Sequence, residues 1–252
     1  MVIERDKEIP KDLRPLARKV FEDFLLKILS KDKIQKTQKK IRDFQESWTF
    51  SSLEKKIELL DSLYPSLFSG FFPRPKIIVT KDRRIRNRSI AAQFIPERWE
   101  ISFSQSYLGN YSLYQIISTF NHENYHAFLH FLSLRLNPEI ASEYIPVEQK
   151  ILDLACKYPL EETNRNNLAV ISLAKRNLLG VMDSSIYRGR VFEQSSISGM
   201  DSFYLNVEIN VENLEEMTFR KLFPGLNFQR SYRTAEQYIK NREEGQSPFY
   251  AH

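Results

Sequence analysis

The sequence predicts an α+β fold: an N-terminal helical region, a small β-sheet followed by one long helix, and a C-terminal extension. Three observations predict it. Apolar residues recur at helical spacing from Leu16 to about Leu63, the stretch from Lys76 to Ser104 is β-branched or alternating, and a 3.6-residue apolar period then runs from Leu113 to Phe131.

In the first region the helical stripe is carried by Val20, Phe24, Leu25, Ile28 and Leu29, and later by Leu53, Ile57, Leu60 and Leu63. Between them Lys31 to Arg42 is lysine-rich and nearly free of apolar residues, which reads as a solvated helix face or loop. Pro65, Gly70, Pro73 and Pro75 punctuate the chain and place a boundary near 65–75. Three strands follow, Lys76-Ile-Ile-Val-Thr80, Ser89-Ile-Ala-Ala-Gln-Phe-Ile95 and Trp99-Glu-Ile-Ser-Phe-Ser104, with Pro96-Glu97-Arg98 as the tight connection between the last two. Gly109-Asn110 reads as a turn. Ser112 is then a good N-cap, and Asn137-Pro138 a stop, for a helix of about six turns. Pro146 opens a helix through Lys157, Pro159 interrupts it, and a further helical stretch runs from Leu160 to Leu179. Phe203 to Val211 alternates like a strand, and the residues from Arg242 read as a tail. The expected organisation is 1–72 helical, 73–180 the core that carries the chemistry, and 181–252 an extension.

Composition bounds the function classes. With 252 residues, 42% of them hydrophobic, the chain can bury a substantial core. No apolar run approaches the roughly 20 residues that cross a bilayer, and Met1 to Arg14 has no signal-like apolar segment, so no membrane partner and a cytoplasmic location are expected. Cys156 is the single cysteine and fits a reducing compartment. The net charge of +5 implies a weak attraction to nucleic acid through the basic segments and names no partner. A phosphate-binding glycine loop, a CxxC pair and a Gly-x-Ser-x-Gly elbow are all absent from the sequence.

The chemistry-bearing pattern is His122-Glu123-Asn124-Tyr125-His126, inside the long helix and just after the sheet. Residues i and i+4 return to one helix face, so His122 and His126 can offer imidazole nitrogens to one Zn2+. Glu123 beside them can act as the general base for zinc-activated water and then deliver the proton to a leaving amine. Three protein ligands plus water is the usual catalytic set, so a third ligand is needed. His130 lies about 12 Å along the helix axis from His122, too far for all three histidines to share one ion. His252 is at the chain end. By elimination the third ligand is a carboxylate. If the helix ends near Leu136, a chain advancing at most about 3.5 Å per residue cannot bring Glu139 back, and can bring Glu143 back only if fully extended. Glu148 has the reach and is the choice, with Asp153, Glu161 and Glu162 open behind it. Tyr144, Tyr187 and Arg190 are candidates to stabilise an oxyanion.

These residues resemble the zincin metallopeptidases. Trp99 to Leu160 is similar to the metallopeptidase segment of ImmA/IrrE-type proteins, whose His-Glu-x-x-His-x-x-Leu-His pattern is matched by His122, Glu123, His126, Leu129 and His130. A second helix in that family carries a ligand glutamate, and Val147-Glu-Gln-Lys-Ile-Leu-Asp-Leu-Ala155 before Tyr158-Pro159-Leu160 has its rhythm. It departs from the pattern at Lys150, where the family has a second acidic residue, and at Leu152; Asn124-Tyr125 replaces the common Leu-Gly. The resemblance covers about a quarter of the chain and implies a gluzincin-like site. A weaker resemblance, through Arg84-Ile-Arg-Asn-Arg88, Ala91-Ala92 and Ile101-Ser-Phe-Ser104, is to SprT/Spartan-like proteases, whose third ligand is usually a later histidine that this chain lacks. Lys81 to Arg88 holds five basic residues and one acidic, which reads first as a solvated hairpin.

The expectation is therefore a zinc metallopeptidase acting on a protein or peptide substrate, with His122, His126 and Glu148 as ligands and Glu123 as base. The rival is a non-enzymatic basic module that binds nucleic acid or protein and keeps a vestigial metal site.

Overall fold

A computed structural model describes residues 30–68, 70–81, 84–85, 88–89, 91–160 and 214–226, with helical residues also at 170–171, 174–175, 177–178 and 181–182. The architecture is α+β, with a three-stranded sheet packed among helices. The helical stripe expected over residues 16–29, the strand Phe203 to Val211 and the tail from Arg242 lie outside the described residues.

Helix α1 (Lys31–Gln45) takes in the lysine-rich run, capped by Ser30, whose side chain accepts from the Lys33 N–H. Two of its uncharged positions show why it is helix: Thr37 and Ile41 are buried and recur at i+4, while Lys31, Lys36, Lys39 and Arg42 stay exposed. Helix α2 (Leu53–Leu67) starts at a Ser52 cap and buries Leu59, Leu60, Leu63 and Leu67. It runs on past Pro65, where the sequence suggests a boundary. Pro65 has no N–H for the Asp61 carbonyl one turn earlier, and the Arg74 guanidinium donates to that carbonyl at 3.1 Å instead.

The sheet contains β1 (Lys76–Thr80), β4 (Ala92–Ile95) and β5 (Glu100–Ser104) in the order β1-β5-β4. β5 is central, parallel to β1 with Ile77 opposite Ile101, and antiparallel to β4 with Phe94 opposite Ile101. The region expected to be one strand from Ser89 to Ile95 is divided. Its first residue belongs to a separate antiparallel pair of short strands, β2 (Arg84–Ile85) and β3 (Arg88–Ser89), which takes in part of the basic run. Pro96–Arg98 make one 3-10 turn between β4 and β5. Trp99 follows at φ 49°, a left-handed conformation that a bulky residue rarely adopts. Its indole is anchored: Nε1 donates to the Pro73 carbonyl at 2.7 Å, and the ring meets Phe94 edge-on at 5.1 Å.

Helix α3 (Gln105–Asn110) occupies the segment read as a turn. Ser104 caps it, and Tyr107 and Leu108 are buried. Helix α4 (Leu113–Leu136) is the long helix, opened by a reciprocal capping box between Ser112 and Gln115 and closed at Asn137. The next residues do not form a loop. The Asn137 side chain accepts from the Ile140 N–H and Pro138 takes the first position of helix α5 (Pro138–Tyr144), which is followed by α6 (Gln149–Lys157) with Glu148 at its N-cap position. The Leu160 N–H donates to the Arg135 carbonyl and ties the end of this pair back to the C-terminal half of α4.

One apolar core runs from Ile41 to Phe223. Phe68 is its hub, contacting the rings of Tyr64, Phe72, Phe120 and Tyr125. A helical segment over residues 214–222 joins this core through Leu214, Phe219, Leu222 and Phe223. Among the described residues no helix is long and apolar enough to cross a membrane.

Candidate metal centre

Helix α4 places the motif by simple periodicity, since its other faces are committed to the core. Phe120, Ala127 and Phe131 are buried, with Phe131 against the Trp99 ring on the sheet side, while Tyr125 and Phe128 meet Phe68 and Phe72 beyond α2. The remaining face carries His122, Glu123 and His126.

The Nε2 atoms of His122 and His126 face each other at 3.1 Å. Two imidazole nitrogens bound to one tetrahedral ion at 2.0–2.1 Å stand about 3.3 Å apart, so the pair is spaced to within a few tenths of an ångström for a shared zinc. The same separation suits an N–H···N hydrogen bond. Behind the first ring, His122 Nδ1 lies 3.1 Å from Glu215 Oε2, and the Ser118 hydroxyl donates to Glu215 Oε1. His130 packs as a neighbour, with Nδ1 donating to the His126 carbonyl at 2.8 Å and its ring 5.5 Å from that of Phe94.

Glu123 is 8% exposed and its Oε2 accepts from the backbone N–H of Phe94 at 2.6 Å. Sheet register explains why that N–H is available. The Ser104 N–H donates to the Ala91 carbonyl, so in the antiparallel β4–β5 pair residues 91, 93 and 95 turn their backbone groups toward β5. Ala92 and Phe94 turn theirs to the outer edge, and among the described residues β4 is an edge strand. One turn before Glu123 on the same face, Thr119 Oγ1 bonds the buried Tyr107 hydroxyl at 2.8 Å.

The structure does not bring Glu148 to this pair. Its carboxylate meets the Lys150 ammonium and lines a cleft of about 560 Å³ with Arg74, Arg98, Trp99 and Leu154, and neither histidine lines that cleft. Glu148 lies twelve residues after Leu136. Helix α5 spends seven of them at about 1.5 Å per residue and keeps the chain beside the far half of α4. Glu143 is exposed on α5, Asp153 bonds Gln149, and Glu161, Glu162, Tyr187, Arg190 and His252 lie outside the described residues. Tyr144 is half-buried at the end of α5. Among the described residues no group of three or more metal-ligating side chains forms. The residues present thus fit two positions of a tetrahedral site together with its outer support.

Three participants are missing from the sequence reading. Ser118 was detectable in principle, four residues before His122 on its own face. Phe94 required the strand register, and Glu215, 93 residues downstream of His122, required the tertiary fold. No protein-family model matches this chain, and no curated protein or solved structure matches it either.

Proposed function

We propose that this chain is a zinc-dependent metallopeptidase with a zincin-like core, acting on a protein or peptide substrate. The observation that carries the reading is the approach of the His122 and His126 Nε2 atoms to 3.1 Å on a helix whose intervening Glu123 is fixed at the edge of a sheet. His122 and His126 would hold the ion. Glu148 is the carboxylate proposed as third ligand, which requires α6 to move from the position where Glu148 meets Lys150.

When bound, zinc supplies a Lewis acid that acidifies water and polarises a carbonyl oxygen. Glu123 takes a proton from the attacking water and passes it to the departing amine nitrogen. The Phe94 N–H holds Oε2, which orients the carboxylate and leaves Oε1 to carry the proton. An extended peptide would lie along the outer edge of β4, pairing with Ala92 and the Phe94 carbonyl. Cys156 is an exposed free thiol, which suits a reducing compartment, and on that ground we place the protein in the cytoplasm.

The test is metal content of the purified protein by elemental mass spectrometry, for the wild type, His126→Ala and Glu148→Ala. About one zinc per chain, lost in both variants, supports the full ligand set. Zinc retained in Glu148→Ala moves the third ligand to another carboxylate. No zinc in the wild type after reloading removes the reading.

The exposed cations of α1 favour a second reading, a nucleic-acid- or protein-binding module that keeps only a vestigial site. DNA binding that falls steeply with salt, in a protein without zinc, would select it.

A further inference from the structure

We propose that Glu215 is a positioning residue for His122, and that the 214–222 helix is therefore part of the metal centre rather than an appendage to it. The proposal rests on the metal reading above and adds a residue that the motif does not contain.

Glu215 is 1% exposed, and a carboxylate so far from water must be compensated by partners that fit it. Two of them come from one face of α4. Ser118 and His122 are separated by four residues, and each addresses a different oxygen of the same carboxylate. The Glu215 oxygen that faces His122 is an acceptor, so Nδ1 of His122 is the donor in this pairing. That fixes the imidazole as the Nδ1–H tautomer and leaves the Nε2 lone pair directed at the position shared with His126. Nδ1 and Nε2 point away from opposite sides of the ring. In this pose Glu215 supports His122 from behind and is not itself the missing ligand.

The carboxylate can act this way because its backbone is held. Thr218, one turn after Glu215, bonds the hydroxyl of the fully buried Tyr125, three residues after His122. Phe223 meets Tyr114 edge-on at 4.8 Å, and Gln38 of α1 donates to the carbonyls of Lys221 and Leu222. A carboxylate that orients a metal-binding imidazole and raises its basicity commonly changes metal affinity by about 10–100-fold. Linkage makes the effect reciprocal: if docking of 214–222 tightens zinc binding, zinc must stabilise that docking by the same factor.

The experiment measures zinc affinity by competition with a chromophoric chelator for the wild type, Glu215→Gln and Glu215→Ala. The His122 tautomer in metal-free protein is read from its ring nitrogen resonances. The expected result is affinity weakened by about 10–100-fold in Glu215→Ala, with partial rescue in Glu215→Gln, whose carbonyl oxygen can still accept from Nδ1. The Nδ1–H signal of the wild type should be lost in Glu215→Ala. Zinc should slow amide exchange over 214–226 in the wild type and do so less in the variants. If the alanine variant folds poorly, the glutamine variant and the wild-type tautomer still decide. Wild-type affinity in Glu215→Gln together with an Nε2–H tautomer in the wild type overturns the inference and leaves the metal reading standing. Zinc binding by neither wild type nor variants overturns both.

Discussion

The Glu123 carboxylate accepts a hydrogen bond from the Phe94 backbone N–H at 2.6 Å, joining the centre of α4 to the outer edge of β4. That contact separates the structural work of Glu123 from the chemical work proposed for it. Glu123→Gln keeps a side-chain oxygen for Phe94 and the shape of the helix, while a neutral amide cannot take a proton from water. We predict that Glu123→Gln melts and binds zinc like the wild type and loses hydrolysis of a protein substrate by about 100-fold or more. Full activity in this variant would remove Glu123 from the mechanism.

The N-terminus of the same helix can be weakened without touching the site. Ser112 accepts from the Gln115 N–H, and Gln115 accepts from the Ser112 N–H. Ser112→Ala breaks this exchange and should cost about 0.5–2 kcal/mol of stability by urea denaturation. His122 lies ten residues on, about 15 Å along the axis, so zinc affinity should not change. An altered affinity would mean that the first turn of α4 is coupled to the metal centre.

How much of this was legible depends on how local the cause is. The limits of α4 follow from Ser112 and Asn137-Pro138, and the His122–His126 pairing follows from helical pitch, so both could be read directly. Asn137-Pro138 carries two messages: it stops α4, which its proline signals, and it also starts α5, because the Asn137 side chain caps the Ile140 N–H. The missed α5 is also why Glu148 stands away from the histidines. Gly109-Asn110 looked like a turn, but Ser104 upstream caps a short helix and burial of Tyr107 and Leu108 holds it. Glu215 had no local signature. Its partnership with Ser118 and His122 becomes visible only once residues 214–222 are packed on α4.

A buried lysine provides a different test of the packing. Lys56 is 2% exposed, its Nζ donates to the carbonyls of Leu108 and Gly109 at the end of α3, and it lies 4.7 Å from the centre of the Trp48 ring. Burial holds its pKa below the ordinary lysine value. Lys56→Met keeps most of the apolar stem and removes the donor, leaving two helix-end carbonyls unsatisfied. Expected destabilisation is about 1–3 kcal/mol in urea, because losing the partner of a buried acceptor outweighs the relief of burying a charge. A variant as stable as the wild type would show that water replaces the ammonium there.

Alkaline pH should act on two of the buried tyrosines, Tyr64 and Tyr125. Tyr64 donates to the Phe72 carbonyl at 2.7 Å and the Tyr125 hydroxyl pairs with that of Thr218, and burial raises the pKa of both phenols well above the ordinary value. A raised folded pKa means that the native state holds these protons more tightly than the unfolded chain does. Their contribution is therefore complete below about pH 10, where unfolded tyrosine begins to ionise, and is lost as pH rises toward the folded values. The urea midpoint should fall above about pH 10, and Tyr125→Phe, which has no proton to lose, should fall less steeply. At neutral pH the same variant should be about 1–3 kcal/mol less stable, since Thr218 loses its buried partner. The two curves should consequently converge as pH rises; parallel curves would show that Tyr125 does not set the alkaline limit.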